Sequence, residues 1–91
     1  MKATQEIFNM LQPGDYVIVK TLGQLIDTGV FTLDDRHLFD NVEQYLGKMY
    51  PIKEVITIHG KTYVTLKYDE EEYMFDVNMF SELYPLNRGI Y

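Results

Sequence analysis

Catalysis or metal binding in this 91-residue chain would have to rest on two histidines, one serine and fourteen carboxylates, because there is no cysteine. A nucleophilic triad would need Ser81 with His37 or His59, and no glycines surround Ser81 to build the sharp turn that exposes a nucleophile. A helix-turn residue accounts for Ser81 better. Gly60-Lys61-Thr62 has the ending of a phosphate-binding loop, but its first glycine would fall at Val55. The segment that follows reads as a strand, which offers no helix N-terminus to a phosphate, so a hairpin turn is the better reading. Asp34-Asp35-x-His37-x-x-Asp40 supplies oxygen and imidazole ligands suited to one divalent ion. It lacks the glycine and terminal glutamate of a calcium loop, and a helix cap with a solvated face explains it equally well. No catalytic residue, metal site or cofactor is therefore assigned.

The remaining chemistry is electrostatic. Asp69, Glu70, Glu71, Glu72, Asp76 and Glu82 lie between Tyr68 and Asn87 without a lysine or arginine among them. Subtracting these six from fourteen acids leaves eight, matched by eight bases, so the net charge of −6 maps to this stretch. Net acidity disfavours direct binding to nucleic acid or an anionic membrane, which depends on cationic side chains. A hairpin loop explains one or two of these acids. Four in a row repel one another by about 1 kcal/mol per neighbouring pair even in water, and they lack the Asn-Gly or Asp-Gly chemistry of a tight turn. An extended chain spaces residues by ~3.3 Å, close to the ~3.4 Å phosphate repeat of one DNA strand. The stretch is thus expected to dock on a basic, nucleic-acid-binding protein, with DNA mimicry as one form of that docking. Tyr68 and Tyr73 would flank the contact as anchors, and Asp34, Asp35, Asp40 and Glu43 would form a second acidic patch.

The elements that must position these groups fit one domain of residues 1–91. Thr4 caps a short helix in an N-terminal segment, 1–12, and Pro13-Gly14 ends it. Residues 13–83 form the body, and 84–91 a tail. Asp15 to Lys20 reads as a first strand, Thr21 to about Asp35 as a long irregular loop or loose hairpin, and Leu38 to Leu46 as helical turns stopped by Gly47. Met49 to Ile58 is a second strand with a bulge or bend near Lys53-Glu54, because Ile52 and Val55 break strict alternation. Gly60-Lys61 is a turn with an exposed His59 beside it, and Tyr63 to Tyr68 a third strand. Tyr73 and Phe75 share a face of a short fourth strand, and Val77 to Leu83 is a last helical turn. The fold class is mainly β with short helices: antiparallel strands that curl into a small, partly open barrel. No apolar run is long enough to span a bilayer and the N-terminus lacks a signal-peptide core, which points to a soluble, reducing, cytoplasmic setting.

Taken in order, GDYVIVK, a long loop, the Leu-Phe to Tyr-x-Gly-Lys segment, YPIKEVITIHGKTYVTL, an acidic turn, Tyr73-x-Phe75 and a closing Met79-Phe80 resemble small phage-encoded and prophage-encoded proteins with a Src-homology-3-like barrel. The resemblance covers roughly residues 13–83, with Tyr73 and Phe75 where tryptophan is common. It implies a barrel, a phage origin and residence in a bacterial host's cytoplasm. The expectation is a non-catalytic protein-binding module that uses its acidic face to inhibit or divert a basic host protein. The alternatives are a structural or assembly protein of a phage particle and, behind it, a small metal-dependent enzyme. An open barrel has free edges, which are compatible with a homodimer, and the sequence does not decide the oligomeric state.

Overall fold

The computed structural model describes residues 1–30, 43–70 and 73–86. Helix α1, Gln5–Phe8, starts where Thr4 accepts the Ile7 N–H on its side chain, as the cap reading requires. Gln12 to Asp15 then make a turn with Pro13 and Gly14 at its centre, closed by the Asp15 N–H on the Gln12 carbonyl at 3.1 Å. Gly14 has φ +95°, and this turn needs a residue that tolerates positive φ there.

Strand β1, Tyr16–Val19, buries Val17 and Val19. The loop expected from Thr21 is instead helix α2, Leu22–Asp27, for a local reason. Thr21 caps the Gln24 N–H while the Gln24 side chain accepts the Thr21 N–H, a reciprocal capping box. At the other end the Gly29 N–H reaches the Ile26 carbonyl and the Val30 N–H the Leu25 carbonyl, with Gly29 at φ +75°. Those are the bonds of a glycine-terminated helix. The two glycines that suggested a loop are therefore an interior residue and a stop. Residues 31–42, most of the helix expected over 38–46, lie outside the described residues; Glu43–Tyr45 form a turn of 3-10 helix, followed by Gly47 at φ +70°.

Strand β2, Met49–Ile58, has the bounds read from the sequence. Its first residues pair antiparallel with β1 (Val17 opposite Tyr50) and its later ones with β3, Lys61–Leu66 (Val55 opposite Val64). Lys53 is the extra residue where the register shifts between Ile52 and Glu54, so the expected bulge is present. The hairpin turn is His59-Gly60, one residue earlier than expected. Both residues have positive φ (50° and 77°), as the two-residue turns that match strand twist require.

Three further expectations are corrected. Phe75 makes a single antiparallel bridge to Val64 rather than belonging to a strand. Val77 to Leu83 is not helical throughout: a 3-10 turn, Val77–Met79, leads into β4, Phe80–Tyr84, antiparallel to β1. Ile18 faces Glu82 and Val19 faces Phe80, leaving Ser81 as the extra residue. That bulge sets Phe80 and Leu83 three apart on the buried side, a spacing that imitates a helix. Nor does the chain leave the fold at residue 84: Tyr84 completes β4, Pro85 is buried, and the Leu86 N–H reaches the Asp15 carboxylate at 2.9 Å.

The result is a mainly β fold, an antiparallel four-stranded open sheet in the order β3-β2-β1-β4 with two short helices. Its outer strands are blunted at single bridges, Val64 to Phe75 on β3 and Lys2 to Glu82 on β4. A chain of rings runs through the core: Phe8 to Phe80 (5.9 Å), Phe80 to Phe75 (6.0 Å), and Phe75 edge-on to Tyr45 (5.7 Å). Tyr45 also meets Tyr50 and Tyr73 edge-on. Such arrangements align ring edges with ring faces and add to the stabilisation from burial. Tyr45 links this chain of rings to the acidic run through Asp69.

Candidate functional site

Where β3 ends, the chain stops extending. The Lys67 N–H bonds to the Pro51 carbonyl at 2.9 Å, and Tyr68 turns into the left-handed region at φ +72°. A β-carbon in that region crowds the following carbonyl, at a cost of about 1–2 kcal/mol. The turn is retained because its neighbours fix it. Asp69 is 5% exposed, although it opens the acidic run. Its carboxylate accepts the Tyr45 hydroxyl on one oxygen and the Tyr73 N–H on the other, the latter at 2.9 Å. One side chain thus ties the turn to the core at Tyr45 and to the backbone of Tyr73.

Burial, and then the hydrogen bond to Asp69, push the Tyr45 hydroxyl well above the usual tyrosine range. It remains a neutral donor at physiological pH, and a buried carboxylate needs such a donor. Asp69 is in this respect a pedestal for Tyr68, a residue 78% exposed.

Tyr68 stands between two clefts that share Tyr68, Asp69 and Glu70. The larger, about 730 Å³, has Pro13, Tyr16, Pro51, Lys53 and Lys67 on its other walls. The smaller, about 390 Å³, is completed by Gln44, Tyr45, Lys48 and Tyr50. Both volumes suit a side chain or a short segment of a partner. On the larger side the Lys67 ammonium lies 5.8 Å from the Tyr68 ring centroid, so the ring already engages a cation.

The other residues singled out in the sequence are dispersed. Glu70 is exposed in the turn, while Glu71 and Glu72 lie outside the described residues. Asp76 accepts the Asn78 N–H at 2.9 Å and pairs with Lys61 at 3.3 Å, so its charge is already answered. Glu82 is on β4, opposite Lys2, and accepts the Tyr84 hydroxyl, a bond that raises the Tyr84 pKa. Tyr73 is half-buried, with Tyr45 and Phe75 against its ring, and so differs from Tyr68 as an anchor. In the second patch Glu43 is exposed at the start of a 3-10 turn, and Asp34, Asp35 and Asp40 lie outside the described residues, as does His37.

Among the described residues no three acidic or imidazole side chains gather as a metal set. Ser81 donates its hydroxyl to the Ile18 carbonyl at 3.3 Å, and His59 occupies the hairpin turn. No helix among the described residues is long and apolar enough to cross a membrane.

Two residues of structural weight are not apparent from sequence. Asp15, 3% exposed, accepts the Gln12 N–H at 2.8 Å and the Leu86 N–H, and so joins both ends of the sheet region. Its position directly after Pro-Gly was the available signal, since a short acid there can bond back across its own turn. Asp69 gave no such signal, because its burial depends on Tyr45, 24 residues earlier. Comparison of the chain with protein-family models, with curated proteins and with solved structures finds no match.

Proposed function

We propose that this chain is a non-catalytic protein-binding module whose contact surface is the Tyr68–Glu70 turn with its two clefts, and whose partner is a basic, nucleic-acid-binding protein. The carrying observation is the burial of Asp69 beneath an exposed Tyr68. One acid of the run is spent on fixing a strained turn, and that turn offers a large aromatic ring to solvent. Strained, over-determined turns cluster at binding sites, and tyrosine provides contact area with little conformational entropy to lose. Glu70 and the two glutamates after it add the field that steers a cationic partner. The earlier set of contact residues narrows accordingly, with Asp76 and Glu82 as peripheral charges. In this reading the bent sheet is the wall of a small Src-homology-3-like barrel, supported by β2 pairing with different strands on either side of Lys53. A phage origin and action as a DNA mimic belong to the same proposal.

The test is capture of basic proteins from a bacterial lysate on the immobilised chain, eluted along a salt gradient, with duplex DNA as competitor. The expected result is capture that duplex DNA competes away, that salt releases, and that fails when Glu70, Glu71 and Glu72 are all changed to glutamine. Capture that persists at high salt and in the glutamine variant overturns the reading and favours an assembly role through apolar contacts.

A further inference from the structure

The smaller cleft differs from the larger in a way that defines its ligand. Three of its walls are tyrosines, and two have their hydroxyls engaged: Tyr45 donates to Asp69, and Tyr50 donates to the Gln44 carbonyl at 3.3 Å. Tyr45 and Tyr50 lock edge-on at 5.6 Å and Tyr45 is buried, so the ring most open to a ligand here is that of Tyr68. Lys67 lines the larger cleft and not this one. Its ammonium lies 5.8 Å from the Tyr68 ring centroid, and the smaller cleft is bounded by Tyr68 and Glu70. Among the described residues the charged groups lining this space are Asp69, Glu70 and Lys48, a formal sum of −1. Aromatic faces around a net negative space attract a cation, and a planar guanidinium can stack on a ring while bonding a carboxylate with two N–H groups.

We infer that the smaller cleft takes the guanidinium of an arginine side chain from the partner, stacked on Tyr68 and paired with Glu70. The inference rests on the protein-binding reading above and deepens it by naming the chemistry recognised. Among the described residues lining this cleft Lys48 is the cation that opposes such a ligand, which makes it a second, oppositely signed handle.

The experiment is a two-dimensional amide NMR titration of the intact chain with the peptide acetyl-(Gly-Arg)3-amide and with its citrulline counterpart, which keeps the shape without the charge. Shifts are expected at Gln44, Lys48 and Glu70 with the arginine peptide and not with citrulline. Tyr68→Ala should weaken the arginine peptide about fivefold, in the range of an exposed cation–ring contact. Lys48→Met should tighten it by about two- to threefold by removing a like charge. Tyr68 is exposed and alanine keeps the same positive-φ constraint, so an unchanged spectral dispersion separates lost binding from lost fold. Equal response to citrulline, unchanged affinity in Tyr68→Ala, or shifts centred away from these residues overturns the inference. If that happens while DNA-competed capture still depends on Glu70 to Glu72, the protein-binding reading stands and only the arginine cleft fails.

Discussion

Tyr45→Phe isolates the bond that holds the Tyr68 turn. The ring contacts with Tyr50, Tyr73 and Phe75 survive in phenylalanine, so the change removes one O–H donor from the buried Asp69 carboxylate and little else. A hydrogen bond to a charged group contributes about 1.5–3 kcal/mol. For a domain of this size each kcal/mol moves the midpoint by roughly 4–8 °C, so a 2 kcal/mol loss lowers Tm by about 8–16 °C. Urea unfolding at neutral pH measures the loss, and amide shifts of Tyr68 to Glu70 report whether the turn moves. A double-mutant cycle with Asp69→Asn should show coupling of about 1 kcal/mol or more, because the two groups touch. The pH profile gives a second arm. The folded-state pKa of Tyr45 lies above its unfolded value of about 10. The contribution of its hydroxyl is therefore complete below pH ~10 and is lost as pH rises beyond it, when the unfolded chain gives up the proton first. The stability gap between parent and variant should shrink above pH ~10. A loss under about 0.5 kcal/mol with no coupling and no pH-dependent convergence refutes the pedestal.

Three other perturbations follow from single features. The Thr65 hydroxyl is buried and finds no hydrogen-bond partner among the described residues, so Thr65→Val should stabilise the chain by about 1 kcal/mol in urea unfolding; a loss would mean the hydroxyl is satisfied. Tyr68→Gly relieves left-handed strain of ~1–2 kcal/mol against a glycine entropy cost of ~0.5–1. It should raise or hold Tm while abolishing partner capture, and a clear drop in Tm would show that the turn is not strained. Thr21→Ala removes the capping box of α2 and should cost about 1 kcal/mol by the same assay, with no loss if the helix is held by packing alone.

What the sequence made legible follows from how local each signal was. β2 was read with its bulge because Ile52 and Val55 fall three apart inside a run otherwise typical of a strand. The same device in β4 reads as a helix, since Val77, Phe80 and Leu83 also fall at intervals of three. There the neighbouring 3-10 turn completed the helical disguise, and only pairing with β1, more than sixty residues away, settles it. In α2 the reciprocal Thr21 and Gln24 bonds outweighed the propensity of Gly23. At the candidate site Tyr68 and Glu70 were named from composition. The separate role of Asp69 was hidden because a carboxylate in an acidic run looks solvated until its long-range donor is known.

The sheet order also bears on how the chain assembles. β2 and β3 are joined by a two-residue turn, whereas β1 must find β4 across the whole intervening chain, and the Asp15 to Leu86 bond spans 71 residues. Loop-closure entropy makes the first pairing early and the second late. We hypothesise that the hairpin belongs to the folding nucleus and that β4 docks last. Leu83→Ala should then speed unfolding with little change in the folding rate, and a slowed folding rate would contradict this order. Until Phe80–Tyr84 docks, the edge of β1 that β4 covers stays unpaired, so the interval between hairpin formation and β4 docking is when this chain is most exposed to pairing with a neighbour.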